Sequence, residues 1–515
     1  MKRVTATEAV KAIKSGDTLV VGGSGAGHGI PDALLEALGK NFVSTGFPQN
    51  ITLLNPCGVG DNDKRGLNHL AHVGLVKRDI GGFWGNAPKL GQLALQNKLE
   101  AYNLPQGVLT HLVRAIAGGE QGLFTKVGLN TFVDPDFEGG KINEITTEDI
   151  VEKHNINGED ILFYKSFPIN VAFIRGTSAD KEGNITAEEE VGTFSMLSLA
   201  QAAKVNGGIV IAQVKRVGTT SAIPERVKVP GVLVDFVVEV PEQQMTFLTD
   251  YDEALVNKES SFEEDDLVLE GAKRLIARRA AMELKKGYNV NLGYGMPDGV
   301  PIVAKEENII ENITFLIEQG PIGGVLTTGL NFGAMYNPSA IVDDGYQFDF
   351  FHGGGLDICY LGFAQIDKDG NVNSSRFGKN LTGCGGFIDI SQNTKKVVFC
   401  GGFSTKTIMS FNEKGVEIKY PGKHKKFVEK VQQITFNGKY AAQKGQEVLY
   451  VTERAVFKLT SEGLELIEIA PGVNLENDVL AMMEFKPIIN DVKQINTSVY
   501  SSSLMQLALH PNLND

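Results

Sequence analysis

At 515 residues the chain is well past the size at which one hydrophobic core stops growing, so two or three domains are expected. Its 42% hydrophobic and 22% charged content is that of an ordinary globular protein and argues against disorder. With 49 Lys and Arg against 62 Asp and Glu, the formal charge of -13 repels a phosphate backbone, so no nucleic-acid partner is expected; an anionic cofactor would be held locally, by backbone amides or a few placed cations.

The segment from Met1 to Val10 lacks an apolar signal core, and no run of about 18 apolar residues follows. The expectation is a cytoplasmic protein without a membrane partner. The first apolar run, Thr18 to Val21, ends in Gly22-Gly23. Pro31 and Asp32 then open a pattern with Leu34, Leu35 and Leu38 on one face, which predicts a buried parallel strand feeding a helix. Gly208-Ile209-Val210-Ile211, running on through Val214, reads as another such strand. Cys57, Cys359, Cys384 and Cys400 have neither disulfide-framework nor zinc-ligand spacing and read as buried thiols.

An internal echo organises the rest. Lys14-Ser15-Gly16-Asp17-Thr18-Leu19-Val20-Val21-Gly22, then Gly29-Ile30-Pro31, returns as Lys285-Lys286-Gly287-Tyr288-Asn289-Val290-Asn291-Leu292-Gly293, then Gly295-Met296-Pro297. Both copies read helix end, glycine stop, strand, glycine loop and a proline that opens a helix. A second pair follows in the same order: Ala179-Asp180-Lys181-Glu182-Gly183-Asn184-Ile185 and Ile366-Asp367-Lys368-Asp369-Gly370-Asn371-Val372, turns with glycine at the positive-φ position. The prediction is two related open α/β, Rossmann-like domains in tandem, residues 1–250 and 271–515, joined by an acidic linker over 251–270 that contains Glu263-Glu264-Asp265-Asp266. The alternation in Val448 to Val451 and in Ala455 to Leu459 predicts strands that complete the second domain.

Nucleotide chemistry loses its footing early. Every Gly-Lys pair is followed by Asn, Ile, His or Tyr, so no phosphate-binding G-x-x-x-x-G-K-[ST] run exists, and neither glycine cluster matches G-x-G-x-x-G. Glycine loops that expose backbone N–H groups still suit an anionic phosphate or a developing oxyanion, though they equally serve tight packing. In Ile317-Glu318-Gln319-Gly320-Pro321-Ile322-Gly323-Gly324 a carboxylate stands at the end of the apolar run Ile313 to Ile317. A carboxylate desolvated there can act as a nucleophile, although composition alone also fits a solvated loop glutamate.

The stretch from Glu318 through Gly345-Tyr346-Gln347-Phe348-Asp349-Phe350, Gly353-Gly354-Gly355-Leu356-Asp357, Leu361-Gly362-Phe363-Ala364-Gln365 and Gly383-Cys384-Gly385-Gly386-Phe387-Ile388-Asp389-Ile390 resembles the second half of the class I CoA-transferases. It is most similar to the acetate/propionate type, in which both halves are fused. Gly29-Ile30-Pro31, Leu104-Pro105-Gln106-Gly107, Arg114 and Gly122-Leu123-Phe124-Thr125 extend the likeness through the first half.

The resemblance implies that Glu318 attacks an acyl-CoA thioester and that the Gln106 amide helps hold the oxyanion with a backbone amide of Gly385 or Gly386. It places the CoA-binding loop at Gly293, Tyr294, Gly295, Met296 and Pro297, and the active site in the crevice between the domains. The loop from Gly22 to Gly29 lacks the equivalent glutamate and would shape that crevice. Pro321 departs from close relatives and bears on acceptor size.

The implied activity is transfer of coenzyme A, as cosubstrate and with no metal or nucleotide cofactor, between short-chain acyl-CoA and free carboxylic acids, in a homo-oligomer (dimer or tetramer). An acyl-CoA hydrolase on the same scaffold is the alternative; a sugar-phosphate isomerase or a non-catalytic ligand-binding protein is more remote. Of the other residues, His28 is assigned a structural role beside the site, His69 and His72 are surface side chains without a third metal ligand, and Trp84 is core or interface. His352, preceding Gly353, is either a pocket residue or a bystander.

Overall fold

The computed structural model describes residues 1–262 and 268–507. They form two compact units that are not contiguous in sequence: the first takes residues 1–262, 317–349 and 379–389, the second 268–316, 350–378 and 390–507. Of the acidic run expected in the linker, 263–267 lie outside the described residues. The stretch before them is packed rather than free: Ala254 and Leu255 are buried, Asn337 N–H donates to the Ala254 carbonyl at 2.6 Å, and Phe262 stacks on Tyr336.

The first unit is built on a ten-stranded sheet whose main path runs Lys2–Arg3, Phe236–Glu239, Ile209–Val217, Val171–Ala179, Thr18–Val21, Ile51–Asn55, Val76–Gly81 and Glu100–Asn103. Every neighbouring pair on that path is parallel. Strands buried on both faces read as continuous apolar runs, which is how Thr18–Val21 and Ile209–Val217 were legible. The helix Asp32–Thr45 turns Leu34, Leu35 and Leu38 into the core beside Leu19, Val21 and Phe173, and ends at Gly46 in the left-handed conformation. The chain winds one way from Thr18–Val21 and the other way from Val171–Ala179, so the loop after Thr18–Val21 lies at a switch point, where open α/β sheets hold ligands.

The second unit repeats this topology. Thr314–Phe315, Asn289–Leu292, Ile358–Gly362, Lys396–Cys400 and Glu447–Val451 form a parallel set. Their chain order matches that of Ile51–Asn55, Thr18–Val21, Val171–Ala179, Ile209–Val217 and Phe236–Glu239 in the first. Ala455–Thr460, Gly463–Ile469 and Ile488–Gln494 extend it, as the alternation over 455–459 predicts. The apolar run 313–317 is shorter as a strand than its composition suggests, because only Thr314–Phe315 pair, with Asn289 and Val290.

The echoed turns are the same structure twice. Asp180 accepts from the N–H groups of Glu182 (2.8 Å), Asn184 (2.9 Å) and Ala222 (2.9 Å) and from Asn184 Nδ2 (2.9 Å). Asp367 accepts from the N–H groups of Asp369 (3.1 Å), Asn371 (3.1 Å) and Val431 (3.3 Å) and from Asn371 Nδ2 (3.0 Å). Gly183 and Gly370 sit at φ +86° and +76°, where a side chain would be strained.

Candidate active site

Glu318 lies in a turn of the first unit. Gly320 N–H donates to the Ile317 carbonyl at 2.9 Å, Gln347 Nε2 reaches the same carbonyl at 3.1 Å, and Ile317 N–H donates to Pro321 O at 3.1 Å. Gly320 has φ +116°, and a Cβ on it would lie 2.1 Å from the Val342 carbonyl, so the turn needs glycine there. Pro321 opens the short strand that pairs antiparallel with Ala340–Ile341. Glu318 is thereby held at 9% exposure, with Gln319 Nε2 at 3.3 Å from Oε1.

The loop after Thr18–Val21 is closed by mutual backbone bonds between Ser24 and His28, at 2.8 and 3.1 Å. Arg175, a lone cation in the apolar strand Val171–Ala179, pins it, donating from Nη1 to the carbonyls of Gly27 and Ile30 at 3.3 Å and from Nε to Glu190 at 3.0 Å. His28 is fully buried, and its ring nitrogens have no hydrogen-bond partner among the described residues. Burial, reinforced by the Arg175 charge, lowers its pKa to about 4, so it is neutral. Ser24 Oγ is 2.8 Å from Cys57 Sγ, and burial pushes that thiol up to about 12, with the charge of Glu318 adding to the rise.

Gln106 is the first residue of the helix Gln106–Ala117, after Pro105, and is 2% exposed. Its N–H donates to the Gly385 carbonyl at 2.9 Å, and its Nε2 has no acceptor among the described residues. Gly385 N–H is committed to the Gly82 carbonyl at 2.8 Å, whereas Gly386 N–H makes no hydrogen bond among the described residues. Asn103 ties the segment down: its Oδ1 accepts from Cys384 N–H at 2.9 Å while its Nδ2 donates to the carbonyls of Gly81 and Gly82. Asp389, fully buried, accepts from Gly107 N–H at 3.1 Å and Val108 N–H at 3.2 Å. Gln106, Gly385 and Gly386 are thus joined in one hydrogen-bonded segment, and Glu318 belongs to the same unit.

The loop from Gly293 to Pro297 belongs to the second unit, at the carboxyl end of Asn289–Leu292. Gly293 N–H donates to the Tyr360 carbonyl at 2.7 Å, Tyr294 is exposed, and Gly295 has φ +99° with open space around it. Met296 and Pro297 lead into the helix Gly299–Glu306.

Among the other histidines, His69 is half-buried with Nε2 3.4 Å from Asp32 Oδ1, and His72 packs against Phe42. The His352 carbonyl accepts from Asn393 Nδ2. Trp84 is in the core and the four thiols are buried and free. No group of three or more potential metal ligands occurs among the described residues, and no helix among them is long and apolar enough to cross a membrane. Sequence reasoning did not assign Arg175, Asn103 or a role for Asp389. A lone arginine in an apolar strand is a readable signal, whereas Asn103 and Asp389 act through partners far away in sequence.

The coenzyme A transferase family profile matches residues 3–240. The chain is 42% identical over 518 aligned residues to the acetate CoA-transferase YdiF of Escherichia coli K12, covering 98% of this chain and 96% of that one. It is 44% identical to the caffeate CoA-transferase of Acetobacterium woodii, covering 97% of both. The crystal structure of acyl-CoA transferase YdiF from E. coli O157:H7 as a thioester complex with CoA superposes with a TM-score of 0.94 at 40% identity, over 99% of this chain and 98% of that one. The chain therefore belongs to the class I CoA-transferases and has their two-domain α/β fold. It is a CoA-transferase, with coenzyme A as cosubstrate passing between acyl-CoA and carboxylates.

Proposed function

We propose that the chain exchanges coenzyme A between short-chain acyl-CoA, such as acetyl-CoA or propionyl-CoA, and free carboxylates by a ping-pong route through Glu318. The Glu318 carboxylate attacks the thioester carbonyl. The tetrahedral oxyanion accepts from Gln106 Nε2 and a glycine N–H, and its collapse expels CoA thiolate to leave an acyl-glutamyl anhydride. The thiolate returns to the glutamyl carbonyl, releases the first carboxylate and leaves a glutamyl-CoA thioester. An incoming carboxylate reverses both steps. No ATP is needed, because thioester and anhydride are close in energy, but water must be kept from the intermediate. Each preorganised donor lowers the barrier by on the order of 3 kcal/mol.

The observation that carries this reading is the buried, acceptorless Gln106 amide, fixed to the segment that offers the Gly386 N–H. Because the Gly385 N–H is bonded to Gly82, Gly386 is the donor in this scheme. The relatives' activities, as acetate and caffeate CoA-transferases, and a neighbour's thioester complex with CoA support the same route. The loop Gly293, Tyr294, Gly295, Met296 and Pro297 would take the CoA, and the enzyme would work in the cytoplasm as a homo-oligomer, dimer or tetramer, which light scattering tests.

Intact mass after mixing with acetyl-CoA should show an adduct of CoA size that maps to Glu318. Glu318→Ala should lose the adduct and all but a trace of transfer while melting like the parent. Retained transfer would assign the nucleophile elsewhere.

A further inference from the structure

Asp389 is fully buried, yet the scheme above gives it no chemical step. Its two oxygens divide between neighbouring amides, Oδ2 taking Gly107 N–H at 3.1 Å and Oδ1 taking Val108 N–H at 3.2 Å. These are the second and third residues of the helix Gln106–Ala117, whose Pro105 cap supplies no side-chain acceptor. The carboxylate therefore satisfies two of the helix's four orphan donors from a segment more than two hundred residues away, and its charge suits the helix N-terminus.

The same segment also takes the helix's first amide, since the Gly385 carbonyl accepts from Gln106 N–H at 2.9 Å. The first three amides of the Gln106 helix are consequently held by residues 385 and 389, and Gly386 lies between them in sequence. The fit is close: a Cβ on Gly107 would approach Asp389 Oδ1 to 2.8 Å and the Phe348 ring to 2.5 Å.

We propose that Asp389 is a positioning residue for the oxyanion site: it fixes the first turn of the Gln106 helix relative to Gly386, so that two donors from distant parts of the chain share one geometry. The inference rests on the assignment of Gln106 and Gly386 as oxyanion donors. Displacing such a donor by about 1 Å costs on the order of 100-fold in rate without removing the donor.

The test is a double-mutant cycle on the full-length enzyme, with kcat and KM for acetyl-CoA and an acceptor acid measured on folded protein. Gln106→Ala should lower kcat by about 100-fold or more. Asp389→Ala should lower kcat by roughly 10- to 100-fold with KM changed little, and Asp389→Asn, which keeps one acceptor oxygen, should fall between it and the parent. In the Gln106→Ala background the Asp389 substitutions should cost less than about threefold more, because they act through an amide no longer present. If Asp389→Ala does not fold, Asp389→Asn alone is carried through the cycle.

Independent, multiplying losses, or an Asp389 variant that melts lower but turns over like the parent, would overturn the positioning role and leave the Gln106 assignment standing. A fully active Gln106→Ala would overturn that assignment and the inference with it.

Discussion

The buried imidazole of His28 shows how side-chain chemistry here is set by what surrounds it. It sits in a loop pinned by the Arg175 guanidinium, and burial assisted by that charge lowers its pKa from an ordinary 6.5 to about 4. Between pH 4 and 6.5 the unfolded chain binds a proton at this position that the native protein does not, so stability rises with pH through that window and is lost as pH falls. The effect amounts to about 3 kcal/mol at most. His28→Leu should therefore shrink the drop in urea midpoint between pH 7 and pH 4.5. It should also leave transfer activity untouched, because the proposed anhydride route requires no proton shuttle. The histidine is conspicuous in the sequence for its glycine neighbours, but its neutrality comes from burial by the folded chain, with an arginine 147 positions later adding to it.

At the scale of elements, the duplicated turns give the fold a built-in control. Asp180 and Asp367 each accept four hydrogen bonds, three of them within the turn and one from a distant strand or loop. Replacing either aspartate by alanine leaves several N–H groups, part-buried around Asp180 and more deeply buried around Asp367, without that acceptor, and a loss of about 1–3 kcal/mol is expected for each. The two variants should lower the urea midpoint by similar amounts while Gly183→Ala and Gly370→Ala add backbone strain on top. A large inequality between the aspartates would show that the two turns, alike in bonding, differ in what they support. The turn 317–321 that carries Glu318 follows the same logic, since Gly320 is required by its φ of +116° and by the Val342 carbonyl 2.1 Å from a would-be Cβ.

For the whole molecule, the proposed route, in which CoA is carried on the Glu318 carboxylate, requires the first acid to leave before the second binds. Initial rates against acetyl-CoA at several fixed acceptor concentrations should give parallel double-reciprocal lines; converging lines would require both substrates to be bound together. Much of the architecture is legible in the amino-acid order. Apolar runs closed by glycine mark Thr18–Val21 and Ile209–Val217 because strands buried on both faces carry no polar alternation, and the repeated glycine-strand-glycine-proline pattern reports the duplicated sheet topology.

Glu318 is readable as a candidate from its place at the end of an apolar run, and Gln106 from the family resemblance of its motif. Which glycine is left to donate is not, because that follows from Gly385 spending its N–H on Gly82, a bond between segments some three hundred residues apart. The packing of 254–262 and the clamp on the Gln106 helix escaped the sequence for the same reason. Local order fixes the period and polarity of each element, whereas the partner of a buried N–H or carboxylate is chosen only when the folded chain brings distant backbone within about 3 Å.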